Sequence, residues 1–250
     1  MVCPEIFRNA PATEALLDIQ VALPPEVDLP KLLQFHDLVM ETFPEKRERL
    51  NFSQGVEIAP DGKPKGIPFS TKVEGYLFVS SNKLKLVQAR MSGFTFNKLK
   101  PYDRWETFRD EAKVLWDKYR TLFKPANVTR LALRYINRIE IPLPVKEFRD
   151  YCLLFPEIPP NMPQGLAEFF MRFVVPETER GPTGIVTVTF EPLKPASTVL
   201  PLIFDIDVFQ LFEMMSPESE EIWQKFEQLC TFKDTIFFSS VTEKTKELFR

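Results

Sequence analysis

Residues 127–144, NVTRLALRYINRIEIPLP, are the stretch whose reading decides the fold. Strand alternation places Leu131, Leu133, Tyr135, Asn137, Ile139 and Ile141 on one side, and Arg130, Arg134, Ile136, Arg138 and Glu140 on the other. The first side reads as core, and the second carries three arginines. Asn137 is the exception among the apolar residues. An unpaired buried amide costs about 1–3 kcal/mol, so its side chain is expected to bond to backbone.

Upstream of this strand, residues 14–22 alternate in the same way, with Ala15, Leu17, Ile19 and Val21 inward and Glu14, Asp18 and Gln20 outward. Asp28 can cap and Pro30 can open a helix carrying Leu32, Phe35, Val39 and Phe43 at helical spacing. Residues 47–70 read as loop, with the turn cluster APDGKPKGIP at 59–68 and at most one short strand at 52–58. Residues 74–100 read as an antiparallel meander broken at Ser81-Asn82 and Ser92-Gly93. Asp103 and Glu106 make a plausible capping pair for a helix that runs to Phe123.

From residue 136 onward the order of elements repeats. INRIEIPLPVKEFRDYCLLFPE parallels the first strand and helix, and Phe-Pro-Glu at 43–45 recurs at 155–157. AEFFMRFVVPE, GIVTVTFEP and VLPLIFDIDVF read as three strands, followed by a helix through Ile222, Phe226 and Leu229. WQKFEQL at 223–229 echoes WDKYRTL at 116–122. An α+β fold is therefore expected, with two β-α-β(3–4)-α halves, 1–126 and 127–250, packed as one unit. Their strands would join into one long twisted antiparallel sheet with helices mainly on one face, in the manner of a TATA-binding-protein-like saddle or a helix-grip fold.

Composition narrows the function. The chain has 250 residues, a net charge of −3, and 24 Phe and 23 Pro against 8 Gly. That charge gives no global attraction to a phosphate backbone, so nucleic acid is not the favoured partner. No apolar run suits a membrane span and the N-terminus does not resemble a signal peptide, so a cytoplasmic location is expected. Three cysteines, Cys3, Cys152 and Cys230, have no metal-ligand spacing and read as two core thiols and one terminal thiol. His36, the single histidine, falls in the first helical pattern and reads as a partly buried helix residue.

The candidate binding residues are Asp18, Arg130, Arg134, Arg138, Arg172, Asp205 and Asp207, all on the strand faces opposite the core. Two readings are open: a solvated face of cross-strand charge pairs, or a recognition surface whose arginine forks hold a carboxylate or phosphate. Asp205 and Asp207 share a face at i, i+2 and could hold Mg²⁺ with Glu14 or Glu168, which leaves metal-dependent phosphoryl transfer as a further alternative. Sequence motifs for nucleotide hydrolysis, dinucleotide binding, zinc proteolysis and α/β-hydrolase chemistry are absent. No catalytic residue, resident metal or cofactor is assigned.

The chain resembles an uncharacterised, sporadically distributed family of prokaryotic proteins of about this length. The resemblance rests on PATEALLDIQV at 11–21, Phe43-Pro44, KLKLVQARMSGFTFNKLKPYDRWETF at 83–108, RYINRI at 134–139 and FFSSVTEKTKELF at 237–249. The chain departs from the family pattern at Leu86–Gln88, where a second Gln is missing, and near Asn97. The family has no assigned activity; its patchy distribution is typical of defence genes, so the resemblance implies an accessory role in a prokaryotic defence (CRISPR-type) system. The open sheet face itself reads as that of a non-enzymatic binding or regulatory protein acting through protein–protein contacts. The alternative class is a small-ligand or nucleotide-sensing module that uses the same arginines.

Overall fold

The computed structural model of the protein describes residues 7–53, 56–58, 64–66, 70–179 and 181–250. Cys3 and most of the turn cluster at 59–68 lie outside the described residues. The long central strand forms as its alternation dictates: β8 spans Asn127–Pro142 and buries Leu131, Leu133, Tyr135, Asn137, Ile139 and Ile141. It is flanked by β1 (Ala12–Ala22) and β11 (Val199–Met215), both antiparallel to it.

Outward from β1 follow β7 (Gly93–Leu99), β6 (Lys85–Arg90), β5 (Ser70–Val79) and β2 (Glu45–Ser53). Outward from β11 follow β10 (Thr183–Phe190) and β9 (Phe170–Pro176). The result is a nine-stranded antiparallel sheet in the order β2-β5-β6-β7-β1-β8-β11-β10-β9, and the chain is α+β. The short strands β3 (Val56–Ile58) and β4 (Pro64–Gly66) pair only with each other.

Helices cover one side of this sheet. α3 (Trp105–Phe123) lays Phe108, Trp116 and Tyr119 against Phe94 and Phe96 of β7. α4 (Glu221–Ser240) sets Phe237 on Phe204 of β11. Each such phenylalanine withdrawn from water contributes about 1.5–3 kcal/mol, so this aromatic layer is the main adhesive between helices and sheet. Two five-residue helices, α1 (Leu29–Leu33) and α2 (Phe35–Val39), bury Leu32, Phe35 and Val39 beside Phe78 and α3; the pattern at 29–43 predicts one helix and the structure gives two. Asp28 caps α1 as expected, and the His36 ring stacks on Phe78 with Nε2 3.1 Å from the Phe43 carbonyl. α5 (Glu243–Glu247) closes the chain.

Three local expectations fail. Asp103 does not cap α3, whose N-cap is Arg104 without a side-chain bond; its carboxylate instead accepts from Lys98 Nζ at 2.5 Å. The ion pair also holds the Asp103 carboxyl below the ordinary carboxylate range, against the opposing effect of its partial burial. Residues 45–53, read largely as loop, form edge strand β2 because β5 needs a partner on that side. The amphipathic helix expected after β8 is only a 3₁₀ turn at Phe148–Asp150. Its backbone is claimed by the end of α4: Leu153 N–H donates to the Ser240 carbonyl at 2.8 Å, and Thr242 N–H to the Tyr151 carbonyl at 3.2 Å.

Candidate functional site

The register brings the outward-facing polar residues of five neighbouring strands, β6, β7, β1, β8 and β11, onto one surface. Asp18 of β1 lies opposite Thr95 of β7 on one side and Ala132 of β8 on the other. Arg134 lies opposite Leu16 and Asp207, and Ile136 opposite Asp205. Among the described residues no helix covers this side of the sheet, yet Asp18 is only 6 % exposed.

Asp18 is the hub. Its Oδ1 accepts from Thr95 Oγ1 at 2.7 Å and from the Arg90 guanidinium, while its Oδ2 accepts from Arg130 Nη1 at 3.4 Å. Arg130 reaches on to Asp207 at 3.6 Å, and its guanidinium sits 4.7 Å from the centre of the Phe209 ring. Arg90 is buried, with Gly75 and Gly93 flanking it in register. A parallel chain of amides runs beside this hub: Arg49 donates to Gln88, Gln88 Nε2 to Asn97 Oδ1 at 3.0 Å, and Asn97 Nδ2 to Glu14 Oε1 at 2.6 Å.

Toward β11 the ladder opens to solvent. Arg134 holds Asp205 bidentately, with Nε at 2.9 Å and Nη2 at 2.5 Å, although the arginine side chain keeps 44 % of its exposure. The Asp205 carboxylate raises the Arg134 pKa, while partial burial opposes it. Asp207 has its carboxyl pushed above the ordinary carboxylate range by burial, with Arg130 and Arg134 pulling the other way.

Of the seven residues singled out in the sequence, Asp18, Arg130, Arg134, Asp205 and Asp207 meet in this ladder. Arg138 lies further along β8 and pairs with Glu140 and Glu191. Arg172 is two strands away on β9, opposite Thr187, exposed and without a hydrogen bond or ion pair to a described residue. Arg90, Thr95, Gln88, Asn97 and Arg49 complete the network and were not singled out. The alternation of KLVQAR and GFTFNKL around buried Val87, Ala89, Phe94 and Phe96 carries the signal for four of them.

The arrangement restricts the chemistry. Asp205 and Asp207 are engaged by arginines, and among the described residues no three His, Cys, Asp or Glu side chains are grouped to hold a metal ion. Asn137, on the opposite face, bonds to backbone as expected, donating from Nδ2 to the Phe204 carbonyl at 3.0 Å. Cys152 and Cys230 are both buried, with thiol pKa values pushed up by burial to about 11 and about 12. Among the described residues no helix is long and apolar enough to cross a membrane. The chain matches no protein-family model and no curated protein.

Proposed function

We propose that the protein is a non-enzymatic binding protein that docks an extended, largely apolar segment of a protein partner along β9 and the adjoining open face, with a partner carboxylate meeting Arg172. One observation carries this reading: β9 is an edge strand of sequence FMRFVVP whose Phe170 and Val174 are 67 % and 57 % exposed beside an arginine that no described carboxylate neutralises. Free backbone groups on an apolar edge are a template for strand addition, and arginine with aromatic residues is the composition of interface hot spots.

The same comparison weighs against the alternative of an anionic small ligand or nucleotide. Arg130, Arg134 and Arg138 each already face a carboxylate of the chain, so an incoming anion would have to displace it. The duplication and the saddle- or helix-grip-like form expected from the sequence belong to this proposal as well. What supports duplication is the strand order: β1-β7-β6-β5 on one side of the β1–β8 seam matches β8-β11-β10-β9 on the other, first strand at the seam and last strand next to it. The defence-system role rests on the family resemblance.

Affinity purification from the native host tests the docking, with wild type compared against Arg172→Glu/Val174→Lys. The expected result is a defined partner retained by wild type and lost by the variant at unchanged Tm. Equal retention by both proteins overturns the reading.

A further inference from the structure

On the helix side of the sheet, well away from the charged ladder, a cavity of about 570 Å³ lies between the start of α3, the middle of α4 and the floor of β8. It exists because Ala10, Pro11 and Ala12 place small side chains where the chain enters β1, while Asn137 stands opposite Ala12 in the register. That volume falls within the roughly 300–1,000 Å³ that holds small organic ligands.

Its polar groups are incompletely used. The Tyr102 and Tyr135 hydroxyls are 2.8 Å apart and share one hydrogen bond. Two hydroxyls carry two protons, and one bond consumes one of them, so the second O–H has no acceptor among the described residues. Asn137 spends both amide hydrogens on carbonyls, of Phe204 and Tyr135, and its Oδ1 accepts nothing from a described residue although the side chain is buried. The cavity thus offers one free donor and one free acceptor among aromatic walls.

Of the charged side chains lining it, Arg104 and Glu106 stand exposed at the rim and Asp103 pairs with Lys98, while the deeper ones are engaged within the protein. Lys233 pairs with Asp234 and sits 4.2 Å from the Tyr135 ring centre. Glu227 accepts from Trp105 Nε1 at 2.9 Å and from Arg109 at 2.6 Å. A charged guest seated at the inner end, beside Tyr102, Tyr135 and Asn137, would leave water without reaching the solvated charges of the rim, at a desolvation penalty that the paired Lys233 and Asp234 do not offset.

We infer that this cavity is a binding site for a neutral, planar, mainly apolar molecule that accepts a hydrogen bond from the Tyr102–Tyr135 hydroxyl pair and donates one to Asn137 Oδ1. Burial raises the pKa of both tyrosines far above neutrality, so the hydroxyls stay protonated and available as donors. The site is independent of partner docking at β9, which lies at the sheet edge.

Calorimetric titration with 2-quinolone, a neutral planar lactam, tests the inference against naphthalene, which has the same shape without polar atoms, and benzoate, which is charged. 2-Quinolone is expected to bind five- to tenfold tighter than either, the effect of about one net hydrogen bond. Thr235→Trp or Thr231→Trp, on the exposed rim of α4, should plug the cavity and weaken binding at least tenfold with helix content unchanged. Tyr102→Phe/Tyr135→Phe, which removes the hydroxyl donor and leaves Asn137 in place, should narrow the advantage of 2-quinolone over naphthalene to about two- to threefold. Absence of 2-quinolone binding, equal binding of benzoate, or indifference to both plugging variants overturns the inference.

Discussion

Asp18 and Arg134 belong to one charge ladder but differ sharply in what their removal does. Asp18→Ala leaves Arg90 and Arg130 facing each other across a buried site, and loss of a buried ion-pair partner costs about 3–5 kcal/mol. Arg134→Ala removes a pair that solvent already screens, so a change of no more than about 1 kcal/mol is expected. Urea unfolding of the two variants checks the contrast. Asp207 contributes a pH dependence of its own. Its folded pKa is raised, so the native state binds the proton more tightly than the unfolded chain, and its contribution to stability falls as pH rises from the ordinary carboxylate range through the raised value. Asp207→Asn should therefore raise Tm relative to wild type at pH 7 and lose that advantage below the ordinary carboxylate range. The two faces of β8 were legible because a strand's period is fixed by backbone geometry. Arg90 was harder to see: its importance comes from Asp18, seventy-two positions away in sequence.

At the scale of elements, the β6–β7 hairpin turns on Gly93, whose φ is +143° and whose missing Cβ would lie 2.1 Å from the Ile19 carbonyl oxygen of β1. Gly93→Ala combines that clash with a backbone conformation side chains avoid, and a loss of about 2–3 kcal/mol or more is expected in thermal unfolding. Elements whose fate is local were readable: β1, β6–β8 and α3 all follow from alternation or helical spacing. Elements decided by distant partners were not. VKEFRDYCLLF has the periodicity of a helix, yet Phe148, Phe155, Phe169 and Phe190 gather into an aromatic cluster while the backbone at 151–153 bonds to the end of α4. EKRERL lacks any apolar face and still forms β2, because the ladder with β5 supplies what its side chains do not.

At the scale of the whole molecule, the β1–β8 seam runs in register from Ala12↔Asn137 to Ala22↔Asn127, and buried side chains on both sides of it form one continuous core. Cutting between 126 and 127 would expose Leu17, Ile19, Leu131 and Leu133 on two new sheet edges. The fragments 1–126 and 127–250 expressed separately are therefore expected to be unfolded or aggregated, whereas mixing them should restore the far-UV circular dichroism of the intact chain. On the β1 side of this seam four strands follow, β7, β6, β5 and β2, whereas on the β8 side there are three, β11, β10 and β9, an inequality that the order of elements in the sequence did not reveal. The sheet's two ends differ for a reason that bears on assembly. β2 presents Glu45, Lys46, Arg47, Glu48 and Arg49, a border of charge that resists further strand addition, while β9 presents phenylalanine and valine. A surface able to grow from one end only cannot polymerise. Whatever strand β9 accepts, the stoichiometry closes at one guest per chain, so light scattering of a saturated complex should give a finite mass that does not climb with concentration.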